Sequence, residues 1–540
     1  MVNEGRLPNF ARALNEGSQA SLLSSIPPLT PAAWVTFYMG TNPGRHGAVD
    51  FFRRVPGTYR LEPVNAGTVM GTPLWSHASQ LGKKVCVYNV PVTYPATPVN
   101  GIMISGMDAP SLDERAVYPR AFRDELLAEF PHYTIEPAAD VRYLVEHSDD
   151  PVGEFTANLQ AHLDLQVKVI RYLMKREDWD LFTAVIRSPD AFQHAFWQEA
   201  EKAIEGQPLD SGEQQKAEPV FRCYEQLDRE LGEIWMQWGE DRNLVLMSDH
   251  GFGSLRREVC VNRLLADAGL LTFRKKGARR RTKEFVIDKV GHSISPNLRN
   301  TIKNRMRKNS RTGFLFVDAL VADVDWSRTR VYSLGQFGCL FTNLQGREPM
   351  GTVRSEKERR ATISAAKEAL SEVIVPEDGL PLMSDFHSRD DTYHGPLLNS
   401  VPSGVVVMRN HSYRGIYSTR AELAQEEIYR KPCEDWKELS PTGCHRREGM
   451  LMMHGPDIRK ANIGTVDMFD IMPTILTLMH LPLPQCCDGR VLQEVFTDST
   501  QLLGENVSIM PDMKQNREAA AYTSEDEEII RKRLGDLGYL

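Results

Sequence analysis

With 540 residues and 41% hydrophobic content, the chain can bury a large core, as one big α/β domain with insertions or as two smaller domains. A formal net charge of -8 and a pI near 6.0 exclude a global electrostatic pull toward nucleic acid. The 8 cysteines are scattered singly apart from Cys486-Cys487, with no C-x-x-C pair, and neither a secretory signal nor an apolar run of bilayer length stands out, so a cytoplasmic protein is expected.

Near the start, Thr30 followed by Pro31 predicts an N-cap and a first helical residue, because proline lacks the N–H that this position leaves unpaired. A hydroxyl there lies where free amides and the positive end of the helix dipole favour a phosphoryl group, although the same pattern serves as a simple helix cap. Short Val/Ile/Leu-rich runs then alternate with helical patterns, as a sheet covered on both faces requires. Lys84 to Val90 and Gly101 to Ile104 are the first two predicted strands. The strand from Trp179 to Ile186 runs into Arg187-Ser-Pro-Asp190 and Ala-Phe-Gln-His194. If a helix starts here, Asp190 and His194, at i and i+4, face one way and suit a metal ion; a capping Asp with a surface His is the plainer alternative.

The run Asn243-Leu-Val-Leu-Met-Ser-Asp-His-Gly251 delivers an adjacent carboxylate and imidazole, Asp249 and His250, from an apolar strand into a turn. In an open α/β sheet, ligands bind beyond the carboxyl ends of the strands, so both position and residue types suit a metal; Asp-His-Gly is also an ordinary turn. After Thr272 the composition becomes strongly basic, in Arg274 to Lys283 and again in Lys303 to Lys308. We read 272–325 as an insertion covering the site, either a solvated helical segment or an electrostatic funnel for a phosphorylated substrate or an anionic surface. Its few aromatics argue against stacking on single-stranded nucleic acid. Strands are predicted at Val405 to Met408 and Met450 to Met453; Thr442-Gly-Cys-His445 offers a third imidazole ahead of the latter, and His454 competes for that role at its other end. A polar connector, Glu505 to Glu528, precedes a last short helix.

Taken in order, these motifs resemble the alkaline phosphatase superfamily, in the branch of type I phosphodiesterases and nucleotide pyrophosphatases, nearest to its predicted phosphohydrolase or phosphomutase group. The likeness runs from Glu4-Gly-Arg-Leu-Pro-Asn-Phe10 to Leu537-Gly-Tyr-Leu540, and includes blocks at Tyr332 to Gly335, Asn343 to Pro349 and Ser388 to Pro396. It implies that Thr30 is the nucleophile, that Asp190, His194 and His445 bind one metal, and that Asp249 and His250 bind the other together with Thr30. It further implies a phosphothreonine intermediate and two divalent ions, zinc by the ligand mix, with manganese as the alternative. Two departures stand out. Members of the family begin with a buried strand ending in an Asp that binds the second metal, and this sequence starts after it, at Met1-Val-Asn-Glu-Gly-Arg. In nucleotide pyrophosphatases an Asn follows the His-Gly-x-x-Asp stretch, whereas His46-Gly-Ala-Val-Asp50 is followed here by Phe51, removing the usual donor to the phosphoryl oxygen.

The expectation is therefore an α/β, alkaline-phosphatase-like, mostly parallel sheet flanked by helices and lacking its first strand. The catalytic core comprises 1–271 and 326–500, with the basic cap at 272–325 and a connector and C-terminal helix at 501–540. The expected activity is that of a metal-dependent phosphodiesterase or phosphomonoesterase on a small phosphorylated substrate. A phosphomutase shares the site, and a degenerate pseudoenzyme that binds phosphorylated ligands or partners is the rival of a different class. A sulfatase is disfavoured, since the Thr30 segment lacks that branch's Cys-x-Pro-x-Arg pattern.

Overall fold

The computed structural model describes residues 1–137, 141–239, 241–274, 323–416, 428–432, 434–497, 508–511 and 522–536. Most of the basic insertion expected at 272–325, and much of the 501–540 connector, lie outside the described residues.

Two four-stranded sheets carry the site. The first contains β1 (Ser18–Leu23), which is followed by helix α1 (Thr30–Met39). The second is built on β2 (Val85–Val90) and β3 (Gly101–Ser105). Every residue of β2 is buried, as its unbroken Val-Cys-Val-Tyr-Asn-Val run requires of a strand covered on both faces. The edge strand β4 (Leu181–Ala184) pairs parallel to β2, with Val85 opposite Leu181. It passes through Arg187 into helix α2 (Ser188–Ile204), which packs against the 28-residue helix α3 (Ser211–Trp238).

Strand β5 (Leu244–Met247) is an edge of the first sheet, and the chain turns after it into β6 (Gly251–Ser254). Arg242, just ahead of β5, donates to the carbonyl of Trp179, just ahead of β4, at 3.0 Å. The two edge strands therefore start close together and both run toward the same end of the molecule. A third sheet, all antiparallel, is formed by β7 (Val331–Leu334), β8 (Cys339–Thr342), β9 (Met383–Ser388) and β10 (Gly404–Met408). Finally β11 (Gly443–Arg446) pairs antiparallel with β6, while β12 (Glu448–His454) lies between β1 and β5 and is antiparallel to both. Strand β13 (Ala461–Asp467) closes the first sheet, parallel to β1, and α4 (Ser524–Asp536) is the C-terminal helix.

The α/β class and the predicted strands are present. Parallel pairing joins β2 to β3 and β4, and β1 to β13, while β12, which continues β11 past Arg447, pairs antiparallel with β1 and β5 and makes the first sheet mixed. One apolar cluster ties distant parts together: Leu29, Val49, Leu255, Leu340, Val405 and Leu534 are all buried in it. Among the described residues, no helix is long and apolar enough to cross a membrane.

Candidate metal centre

Helix α2 begins one residue after Arg187, whose backbone occupies the cap position, and Pro189 fits its first turn because that turn leaves its N–H groups unpaired. Asp190 is thus not the cap. It lies inside the first turn, with His194 one turn on, and His194 Nε2 is 3.4 Å from Asp190 Oδ1. The β6–β11 ladder sets His445 opposite Phe252. Strand β11 lies tight on α2: a Cβ added at Gly443 would stand 2.2 Å from the carbonyl oxygen of Gln193. This close approach brings His445 Nε2 to 2.9 Å from His194 Nε2 across 251 positions of sequence. From the β5–β6 turn, His250 stacks on His445 with ring centroids 3.4 Å apart, and its Nε2 is 3.4 Å from Asp249 Oδ2.

The protons of these rings follow from their partners. His445 Nδ1 is 2.8 Å from the carbonyl of Pro28, His194 Nδ1 is 3.1 Å from that of Gly443, and His250 Nδ1 is 3.2 Å from that of Gly251. A carbonyl can only accept, so each Nδ1 carries a hydrogen, and in its neutral form each ring turns an Nε2 lone pair inward. Those lone pairs converge on Asp190 Oδ1, which is 3.5 Å from His445 Nε2 and 3.8 Å from His250 Nε2. Ligand atoms of Asp190, His250 and His445 all lie within 4.8 Å of one another. Acceptors crowded together this way repel unless a cation or proton sits among them, and imidazoles whose far N–H is held by a backbone carbonyl are the usual ligands of a metal.

The electrostatics agree. Burial holds the His250 imidazole down to about 4 against the pull of Asp249, and burial also lowers His445 against its bond to Asp190. For Asp190, burial acts to raise the pKa, but the positive charge and inward N–H of His194 and His445 in their protonated form outweigh it and keep the carboxyl well below its ordinary range, and a bound cation would take the place of those protons. Burial raises Asp249, opposed by His250. The donors present, neutral imidazoles with an ionised carboxylate, suit a divalent ion such as zinc.

Of the two imidazoles weighed for the third ligand, the site gathers His445. His454 ends β12 at the far side of the sheet, opposite Leu244, where it pairs with Glu16 at 3.3 Å and packs on Trp235. His250, expected with Asp249 and Thr30, stands in the same cluster as Asp190 and His445, so the geometry groups the two expected ligand sets closely. Thr30 is 5% exposed. It is the first residue of its helix rather than the N-cap, a role taken by Leu29, whose carbonyl accepts the first helical bond from Ala33. Proline fits the second helical position as well as the first, since neither N–H has a partner within the helix. Pro28, two residues before Thr30, is the acceptor for His445, and Ser24 Oγ donates to the Asp249 carbonyl at 2.5 Å, so the segment leading to Thr30 is tied to two ligand-bearing elements. Asp50 lines a separate cavity with Arg53, Arg54 and Cys339, where burial raises its pKa to about 7.

Sequence reasoning missed Phe252, whose ring centroid is 4.9 Å from His194, 5.3 Å from His445 and 5.5 Å from His250, and Phe337, stacked on His445 at 5.5 Å. Phe252 was within reach, because an extended strand after His250 sends residues 250 and 252 to one face. Phe337 was not, since no local pattern links it to His445.

The sequence model of the type I phosphodiesterase / nucleotide pyrophosphatase family matches residues 1–313. The chain belongs to that family. The match contains Thr30, Asp190, His194, Asp249 and His250, and ends before His445. Among solved structures, human ectonucleotide pyrophosphatase / phosphodiesterase 5 aligns with a TM-score of 0.47 and 10% identity, covering 91% of this chain and 95% of its own. The murine protein of the same name aligns at 0.45 and 11%, with the same coverage. No curated protein matches the chain.

Proposed function

We propose that this member of the family is a metal-dependent phosphohydrolase, cleaving a small phosphate diester or monoester through a phosphothreonine on Thr30. The observation that carries the reading is the convergence of three imidazole lone pairs on Asp190 Oδ1. Asp190, His194, His445, Asp249 and His250 would hold divalent cation, two ions in all with Thr30 contributing to the second. Zinc is favoured by the imidazole-rich set, with manganese the alternative. Such a cation lowers the pKa of a hydroxyl or water that it touches and offsets charge on the phosphoryl oxygens.

The chain's own residues supply the rest. Thr30 Oγ attacks phosphorus, forming a P–O bond as the ester oxygen leaves with its electron pair and takes up a proton. Water then attacks the phosphothreonine, returning the hydroxyl and releasing phosphate or its monoester. The N-terminal turn of α1 has amide hydrogens with no helical acceptor, which favours an anion beside Thr30. Phe252 and Phe337 cover the imidazoles and keep bulk water from them.

The test is hydrolysis of an activated aryl phosphodiester or monoester by the metal-loaded protein. Thr30→Ala should abolish turnover, Thr30→Ser should retain a measurable fraction, and acid quenching should trap a phosphorylated peptide containing Thr30. Full activity in metal-replete Thr30→Ala would remove Thr30 from the mechanism. Inactivity of the parent on all esters tried, with metal bound, would favour a ligand-binding role.

A further inference from the structure

The two oxygens of Asp190 face different partners. Oδ1 turns to the imidazoles, 3.4 Å from His194, 3.5 Å from His445 and 3.8 Å from His250. Oδ2 turns to Arg187, whose Nη2 is 3.8 Å away. Arg187 is held at its other amino group, where Nη1 donates to Glu136. Both members of that ion pair are nearly buried, with side chains 10% and 8% exposed. Arg187 is therefore not a surface charge sampling solvent. Its place is fixed by its position at the exit of β4, at the N-terminus of the helix that carries Asp190 and His194. A second guanidinium, Arg533 of α4, is bonded to the carbonyls of Met107, Ala109 and Pro110 and lies within electrostatic range of Glu136 and Arg187.

A carboxylate beside a cation can offer one oxygen or both. A guanidinium held near one oxygen attracts it electrostatically and repels a second cation from that side, leaving the other oxygen as the ligand. A planar fork holds two carboxylates in a fixed geometry, whereas a lysine ammonium is a single compact charge on a flexible stem. We propose that Arg187, anchored by Glu136, is a positioning residue that reserves Oδ2 of Asp190, so that Asp190 presents Oδ1 alone to the bound metal. This rests on the metal reading given under the proposed function. Restricting Asp190 to one oxygen keeps the coordination number low and leaves a position for substrate, as a catalytic zinc site requires.

The experiment uses the full chain loaded with Co2+, whose visible absorption weakens as coordination rises above four, and Zn2+ competition to obtain dissociation constants. Thermal unfolding of the metal-free proteins is run beside it. Arg187→Met should weaken Zn2+ binding by about tenfold to a hundredfold, the range for residues that orient metal ligands, and should reduce the Co2+ band intensity. Glu136→Gln should move both readouts in the same direction by less, and it tests the anchor even if Arg187→Met does not fold. Arg187→Lys should not restore the parent spectrum. Parent-like affinity and spectrum in folded Arg187→Met, or in Glu136→Gln where Arg187→Met does not fold, would overturn the proposal. So would full rescue by lysine, which would reduce Arg187 to a nearby positive charge. A parent protein that binds neither Co2+ nor Zn2+ would overturn the metal reading itself, whereas metal binding with an unchanged variant sinks the positioning role alone.

Discussion

At the scale of single residues, the choice between His445 and His454 gives the sharpest expectation. His445→Ala removes a fully buried ring that contacts His194, His250 and Asp190. It should lower zinc content on elemental analysis after dialysis, while His454→Ala should leave the content unchanged; the reverse order would move the third ligand. A second expectation concerns His46, which accepts from the Ala48 N–H at Nδ1 and donates from Nε2 to Thr36 Oγ1. Burial pulls its pKa down to about 3. The unfolded chain takes up this proton near pH 6.5 and the folded chain does not until about 3, so the native state loses stability as pH falls through that window. In denaturant titrations the parent's advantage over His46→Gln should shrink on acidification by on the order of 1 kcal/mol per pH unit. A difference that stays flat from pH 6.5 to 4 would show that His46 is not held neutral.

At the scale of elements, the site depends on how closely β11 lies against α2. Gly443 has no side chain to intrude: an added Cβ would meet the Gln193 oxygen at 2.2 Å and Trp197 Cβ at 2.8 Å. Gly443→Ala must push the strand from the helix, separating His194 from His445. We expect a loss of stability of about 1–3 kcal/mol and a larger proportional loss of zinc affinity, read by calorimetric titration. Unchanged affinity in a destabilised protein would mean that the ligands do not depend on this contact. The strands expected at 84–90, 101–104, 181–186, 244–247, 405–408 and 450–453 were legible because apolar runs mark them, and so was the helix carrying Asp190 and His194, but β1 was not, because the serines and glutamine of Ser18–Leu23 break its apolar run. The start of the helix after Leu29 was placed one residue late, at Pro31 instead of Thr30, since proline satisfies the first and second helical positions alike.

At the scale of the whole molecule, the C-terminal helix α4 is part of the main core despite the polar segment before it. Ile530 and Leu534 are 4% and 2% exposed and pack in the cluster that holds Leu29 and Val49. Tyr522 stacks on Tyr94 and donates to the Asp108 carbonyl. Leu534→Ala should therefore cost about 2–5 kcal/mol, as buried leucines do, and lower the midpoint of thermal unfolding. A midpoint within a degree of the parent's would mean that the helix detaches freely.

The sequence by itself determined the nearest-neighbour chemistry. Asp249 beside His250 and Asp190 four residues before His194 are local patterns, set by strand ends and helical periodicity, and the structure keeps both pairs intact. The residue pattern left His445 and His454, which flank the same strand, in competition, because nothing local to that strand distinguishes its two ends, and only the resemblance to the family pointed to His445. Tertiary structure made the choice through the register of β11 against β6, which carries His445 into the cluster and leaves His454 at the opposite edge. It also brought His250 against His445 and turned Arg187 toward Oδ2 of Asp190. Those relations depend on how a helix and two strands dock across more than two hundred residues, and a one-dimensional pattern encodes spacing along the chain but not the angle at which elements meet.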